Sequence, residues 1–277
     1  MAAARLFGLV GSPVEHSASP KIFKQWFLDH GVNADYQAFN VTSRNGRSIL
    51  RSLRTLNVIG VNVTAPLKKV MSDAVDRCVG DANCVGAVNV VVVNGPHWEG
   101  HNTDAEGFVR SLEQQFGAFL SGISVVVLGA GGAAAAVVAG VARRGVRSVT
   151  LLNRTPPRAL ALKRRMAVFF PEVEFAYGRL CAADFREVAP SVQLVVNCTS
   201  GAAAAEVAAL DFGHLHRSAV VSDLNYWMAE RPWLDQWRSH GAGVDNGYGM
   251  LLHQAALSLE HFTGITVPVD DLGQNLR

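Results

Sequence analysis

The 277-residue chain has no Cys-x-x-Cys pair among its four cysteines, no excess of either charge, and no low-complexity linker beyond alanine runs at 133–136 and 202–205. Each absence excludes something. Cys78, Cys84, Cys181 and Cys198 lack the spacing of a disulfide framework and point to reduced thiols in a cytoplasmic setting. Lysine and arginine total 25 against 23 acids, a formal net charge of +2. That balance gives no general case for nucleic acid or a membrane surface as partner. The trio Lys163-Arg164-Arg165 reads as a solvated helix face. Gly11, Pro13 and Glu15 interrupt the N-terminal segment before any long apolar run, which argues against a signal peptide. His214 and His216 could ligate a metal, but no Cys or carboxylate set accompanies them at metal spacing, so none is expected.

What is present is apolar and alternating. With 49 % hydrophobic and 17 % charged residues, the chain can bury one large core or two ordinary ones. Residues 123–142 are nearly uncharged and long enough to cross a bilayer. Their internal order argues otherwise, because a β-branched run ends in Gly129-Ala130-Gly131-Gly132 before the Ala/Val stretch begins. That is buried strand, tight turn, helix. Up to about residue 105, strand-like runs at 6–10, 36–41, 60–63 and 87–93 alternate with helix-like ones at 20–30 and 44–56. Ser19-Pro20 offers an N-cap followed by a proline at the first helical position. A second alternating set at 125–128, 148–152, 173–176, 194–197 and 219–223 has the doubly wound pattern. The fold class expected is therefore α/β: an N-terminal α/β layer structure over residues 1 to about 105 and a Rossmann-like doubly wound region from 123 to about 245.

Gly129, Gly131 and Ala134 fit Gly-x-Gly-x-x-Ala directly after a strand and opening a helix, where backbone N–H groups can receive a pyrophosphate. The next strand ends at Asn153-Arg154-Thr155, where an NAD site would carry an acid for the ribose hydroxyls. Asn153 and Thr155 hydrogen-bond without repelling an anion and Arg154 can pair with a ribose phosphate, so NADP is the expected cofactor. Arg158 could reinforce it.

The first region suits a small polar ligand. Ser17 and Ser19 place hydroxyls near a helix start, favouring a carboxylate. Asn62 and Thr64 share one face of a strand and lead through Pro66 to Lys68, a lysine suited to proton transfer. Asn89 and Asp104 add an amide and a carboxylate at the ends of short elements.

Together these blocks resemble the shikimate dehydrogenase family over nearly the whole chain. The residues carrying the resemblance are Gly11-Ser12-Pro13 with His16-Ser17-Ala18-Ser19-Pro20, Asn62-Val63-Thr64-Ala65-Pro66-Leu67-Lys68, Gly86-Ala87-Val88-Asn89 and Asn102-Thr103-Asp104. They continue with Gly129-Ala130-Gly131-Gly132-Ala133, Asn153-Arg154-Thr155 and Asn246-Gly247-Tyr248-Gly249-Met250-Leu251-Leu252-His253-Gln254-Ala255. The resemblance implies reversible NADPH-dependent reduction of 3-dehydroshikimate to shikimate, a step towards aromatic amino acids. It further implies that Lys68 and Asp104 form the catalytic pair. Ser17 and Ser19, with Tyr226, would hold the substrate carboxylate, and Asn62, Thr64, Asn89 and Gln254 the ring oxygens. Gly129, Ala130, Gly131, Gly132, Ala133, Asn153, Arg154, Thr155, Thr199 and Gly247 would hold the cofactor. It implies as well an α/β fold with an N-terminal substrate domain (1–105 plus 247–277) and an NADP-binding Rossmann domain (106–246), the C-terminal helix at 249–262 returning to the first. A monomer or homodimer is expected. The chain departs from the family pattern at Tyr226-Trp227-Met228-Ala229-Glu230-Arg231-Pro232, where Tyr-Asn-Pro and a later Thr-Pro are usual, and at Val90, where threonine is common. Dehydrogenases of quinate or aminoshikimate, and a non-catalytic sensor of NADPH or a shikimate-like ligand, are the alternatives.

Overall fold

Short β-branched runs closed by Gly, Asn or Pro form most of the strands, and the segments with helical apolar spacing cover them. A computed structural model describes residues 3–228, 231–239 and 243–273. Ala229 and Glu230 of the atypical loop lie outside the described residues. The chain divides into two compact units, Met1–Gly107 with Leu252–Arg277, and Phe108–Leu251.

The first unit runs β1 (Arg5–Gly11), α1 (Ser19–Asp29), β2 (Ala34–Asn40), α2 (Gly46–Thr55), β3 (Val58–Val63), α3 (Lys68–Ser72), β4 (Arg77–Cys78), α4 (Asp81–Val85), β5 (Val90–Asn94) and β6 (His97–His101). Helix α5 (Asp104–Phe116) leads into the second unit. The first sheet has the order β2-β1-β3-β5-β6-β4. Strands β1, β2 and β3 are parallel, whereas β5 runs antiparallel to both β3 and β6. Under one face lies a cluster built from Ile49, Leu50, Leu53, Val61, Val63, Leu67, Met71 and Trp98. Phe7, Phe23 and Tyr36 are fully buried, and Phe23 stacks on Tyr36 with ring centroids 4.4 Å apart. Each such side chain contributes about 1.5–3 kcal/mol of burial.

The second unit runs β7 (Ser124–Leu128), α6 (Gly132–Arg143), β8 (Ser148–Asn153), α7 (Pro156–Phe169), β9 (Glu174–Arg179), α8 (Ala182–Val188), β10 (Leu194–Asn197), α9 (Ala204–Ala208), β11 (Val220–Asp223), α10 (Pro232–Ser239) and β12 (Gly243–Asp245). Its six strands are all parallel in the order β12-β11-β10-β7-β8-β9. The order reverses between β7 and β10, the switch point at which doubly wound sheets bind ligands. Strand β7 is buried along its whole length and α6 is buried from Ala134 to Ala142, so the apolar stretch at 123–142 is core strand, turn and helix. Among the described residues no helix is long and apolar enough to cross a membrane.

Helix α11 (Tyr248–Thr263) carries the chain back, and α12 (Asp270–Gly273) closes it. From Leu252 onward α11 belongs to the first unit, where Phe262 stacks on Phe7 with centroids 4.7 Å apart. One local expectation is corrected. Helix α1 begins at Ser19 itself, with Ala18 in the cap position and no side-chain cap. The hydroxyl of Ser17 takes the Ser19 N–H at 3.3 Å, a local bond that shifts the start back one residue.

Candidate active site

In the first unit the polar groups gather where β1 and β3 end and β5 begins. Backbone bonds from Ser12 N to Ala65 O (3.1 Å) and from Thr64 N to Val10 O (2.9 Å) hold the loop after β1 against the loop after β3. Val63 N donates to Asn89 O (2.8 Å) and Asn89 N to His101 O (3.0 Å), which brings the start of β5 and the end of β6 to the same edge. The C-terminal ends of parallel strands are the expected place for a ligand in an open α/β sheet.

Lys68 and Asp104 meet there. Lys68 opens α3 and Asp104 opens α5, and Lys68 Nζ donates to Asp104 Oδ2 at 2.5 Å. The Asp104 side chain is 7 % exposed and that of Lys68 22 %, so the lysine is the member of the pair that solvent or a ligand reaches. The carboxylate is fixed from its other side. Asn89 Nδ2 donates to Asp104 Oδ1 at 2.8 Å, and Asn102 Oδ1 accepts from the N–H groups of Asp104 (3.1 Å) and Ala105 (3.3 Å), anchoring the helix start.

The two candidate amides are spent largely inside the protein. Asn89 is 2 % exposed; besides Asp104 it donates to Thr103 Oγ1 (2.9 Å) and accepts from Thr103 N (2.8 Å). Asn62, 5 % exposed, accepts from Tyr36 Oη (2.8 Å) and donates to Ser258 Oγ (2.9 Å) and Asn89 O (3.4 Å). An amide offers two N–H donors, and both are committed in each residue. Gln254 enters the network through its backbone carbonyl, which accepts from Thr103 Oγ1 (3.1 Å) and Ser258 Oγ (2.7 Å). Ser17 and Thr64, on the loops after β1 and β3, are half-buried, and Ser19, the first residue of α1, is buried. Behind β6, burial and the neighbouring His261 push the His101 imidazole down to about 4. Its ring lies 4.1 Å from that of His261. Arg77 beside Glu99 holds that carboxyl below its ordinary range.

In the second unit Gly129 follows β7 with φ +111°, a conformation that favours glycine, and a Cβ there would stand 3.2 Å from Cys198 O. The glycine turn thus lies close against the loop after β10. Thr199 on that loop donates through both N (3.1 Å) and Oγ1 (2.7 Å) to Asn197 Oδ1. Asn197 Nδ2 in turn donates to the fully buried Asp223 (3.1 Å), which also accepts from Trp233 Nε1 (2.6 Å) and Asn225. Gly247 has φ +77°, donates to Asp245 Oδ1 (3.2 Å) and faces the Asp223 backbone so closely that a Cβ would meet its carbonyl at 2.5 Å. Burial raises the Asp245 carboxyl above its usual range and, with Asp223, pushes the Cys198 thiol up.

These residues fit a dinucleotide. No side-chain hydrogen bond caps the start of α6, and a Cβ on the cap residue Gly131 would meet nothing within 4 Å, which leaves room beside the helix start for a pyrophosphate. At the end of β8, Asn153 Nδ2 donates to Thr155 O (2.9 Å), and Arg154 presents a half-exposed guanidinium. Tyr226 is half-buried against Trp227, which is 55 % exposed, with ring centroids 5.1 Å apart. His214 pairs with Asp211 at 3.3 Å and His216 with Ser218 at 2.7 Å. Among the described residues no group of three or more His, Cys, Asp or Glu is placed to hold a metal ion.

Sequence reading did not single out Tyr36, Ser258 or Asp223, and gave Asn102 and Thr103 no role of their own. Ser258 carried a usable signal, since it stands one helical turn after Gln254. Tyr36 carried none, because its partner lies 26 residues away.

A chain that joins a glycine-turn Rossmann sheet to a unit bearing a short Lys–Asp hydrogen bond defines a class, the dinucleotide-dependent oxidoreductases. Family models described as the shikimate dehydrogenase substrate binding domain, shikimate / quinate 5-dehydrogenase and the shikimate 5'-dehydrogenase C-terminal domain match residues 9–91, 111–205 and 247–272. A shikimate dehydrogenase (NADP(+)) from Symbiobacterium thermophilum is 36 % identical over 269 residues, covering 96 % of this chain and 91 % of the relative. The shikimate 5-dehydrogenase of Thermus thermophilus, solved with NADP(H) and shikimate, is 31 % identical with a TM-score of 0.81, covering 97 % of each chain. A quinate dehydrogenase from Corynebacterium glutamicum, solved with NAD, is 27 % identical with a TM-score of 0.85, covering 98 % of each. The chain belongs to the shikimate dehydrogenase family.

Proposed function

We propose that this chain catalyses the reversible NADP-linked interconversion of shikimate and 3-dehydroshikimate. The observation that carries the reading is the Lys68–Asp104 pair at 2.5 Å, with Asp104 buried and held by Asn89. A ring carbonyl receiving hydride becomes an alkoxide that needs a proton, and Lys68 Nζ is the group positioned to donate it and, in the oxidation, to take it back. Asp104 fixes the direction of that Nζ, and Asn89 and Asn102 fix Asp104. Ser17 and Ser19 take the substrate carboxylate, while Thr64 and Gln254 pair with ring oxygens. Asn62 and Asn89 have spent their donors, so they serve the ring through carbonyl lone pairs and by positioning their neighbours.

Bound NADP supplies the hydride donor or acceptor. The first-turn N–H groups of α6, from Gly131 to Ala133, receive its pyrophosphate, and Arg154 with Asn153 and Thr155 receives the ribose and its 2'-phosphate. Thr199 and Gly247 border the same sheet end. Four free thiols favour a cytoplasmic setting.

Initial rates with shikimate, quinate and aminoshikimate, each with NADP and NAD, test the reading. Shikimate with NADP is expected to give the highest kcat/KM. A preference for quinate would move the substrate assignment to the other reaction the family name covers, and a preference for NAD would remove Arg154 from phosphate recognition.

A further inference from the structure

The guanidinium assigned to the 2'-phosphate already has protein partners. Beyond Thr199 the loop after β10 turns through Gly201–Ala203 into α9, and this loop reaches the end of β8. Arg154 Nη1 donates to Ala202 O at 2.9 Å and lies 3.5 Å from Glu206 Oε1. Both side chains remain reachable, at 50 % and 36 % exposure. A phosphate monoester carrying nearly two negative charges takes its strongest hold on arginine through two parallel N–H bonds. Here Nη1 faces a carbonyl and a carboxylate, so a phosphate that takes the Nη1–Nη2 edge must displace Glu206, and one that takes the Nε–Nη2 edge binds beside a like charge.

We propose that Glu206 is a specificity-determining residue of the cofactor site: it competes with the 2'-phosphate for Arg154 and so sets how strongly NADP is preferred over NAD. This rests on the reading of Arg154 as the phosphate-binding residue. NADP then either exchanges one ion pair for another or binds beside a like charge, while NAD, with no phosphate, leaves the pair intact. An exposed pair with water access is a modest competitor, so the margin is tuned and not abolished.

The test uses the full chain and the E206Q, R154Q and R154Q/E206Q variants at low ionic strength, where exposed charges are least screened. Binding is read by calorimetry with adenosine 2',5'-bisphosphate and with adenosine 5'-monophosphate, alongside KM for NADP and NAD. E206Q is expected to bind the bisphosphate about three- to tenfold more tightly, with the monophosphate changed by less than about twofold. KM for NADP should fall in step while KM for NAD holds. In the R154Q background the gain should vanish.

Unchanged or weaker bisphosphate binding by E206Q overturns the proposal, as does equal tightening of both nucleotides. A gain that survives in R154Q/E206Q overturns it too, because the carboxylate then acts by repelling phosphate directly and not through Arg154. Should R154Q itself leave discrimination between the two nucleotides intact, the reading of Arg154 falls and the proposal with it. Loss of discrimination in R154Q with no gain in E206Q leaves that reading standing and removes Glu206 alone.

Discussion

At Lys68 the side chain combines two properties that a surface lysine lacks. Its ammonium is bonded to a carboxylate that solvent barely touches, and it is itself exposed enough to meet a ligand. General acid–base groups contribute about 10²–10⁴-fold to turnover. Lys68→Ala is therefore expected to lower kcat by that order with shikimate affinity kept within several-fold, measured by stopped-flow reduction and by ligand titration. Near-normal turnover would take the lysine out of the chemistry. The same substitution removes the ammonium from a buried carboxylate that keeps the Asn89 donor, so urea melts should show a stability loss of about 1–3 kcal/mol. At His101 the sign of the pH effect follows from an imidazole held at about 4 by burial and the facing His261, against about 6.5 in an unfolded chain. As pH falls through that interval the unfolded chain binds a proton that the folded chain refuses. Stability therefore drops from about pH 6.5 towards 4, with a slope from this site of at most about 1.4 kcal/mol per pH unit. His101→Gln should flatten that part of the profile, and an unaltered slope in urea melts across the window would show that other groups set it.

Between elements, α5 approaches α11 closely enough to constrain both. A Cβ on Gly107 would lie 2.8 Å from Gln254 N and 3.0 Å from its Cα, so the obstacle is backbone and cannot rotate away. Alanine gains up to about 1 kcal/mol over glycine inside a helix, and overpacking costs about 1–3 kcal/mol. Gly107→Ala should thus be net destabilising and should raise KM for shikimate by displacing Gln254; a gain in melting temperature would mean the helices yield more readily than their backbones suggest. Elements with their own signal were legible in the sequence: the valine run of β7, the glycine turn and the alanine helix α6 were read in order, because strand, turn and helix each obey a local rule. Strand β6, with the sequence His-Trp-Glu-Gly-His, shows no apolar alternation and exists through its pairing with β5. Strand β12 is three residues long and is defined by pairing with β11. The site divides the same way. Lys68, Asn89 and Asp104 could be named from their motifs. That Asn62 gives its donors to Ser258, 196 residues away, and to Asn89 O follows only from tertiary packing.

Across the whole chain, two cores are linked by helices and not by a loose tether: the division between units falls inside α5 at Gly107 and inside α11 at Leu251. A helix is cooperative along its length, so unfolding one unit removes hydrogen bonds from the turns that belong to the other. A single calorimetric transition is expected in consequence, although chains with two cores often show more. Ligand linkage makes this testable. NADP at a hundred times its Kd stabilises the folded form by about 2.7 kcal/mol. In a chain of this size about 2–4 °C accompany each kcal/mol, which gives a rise of about 5–10 °C in Tm. Shikimate, taken up by the other unit, should raise the same transition. Two separated transitions, one moved by NADP and the other by shikimate, would show that α5 and α11 do not transmit stability between the cores. A rise with NADP matched by NAD at equal concentration would instead count against Arg154, because the two cofactors differ only in the phosphate that residue is assigned to hold.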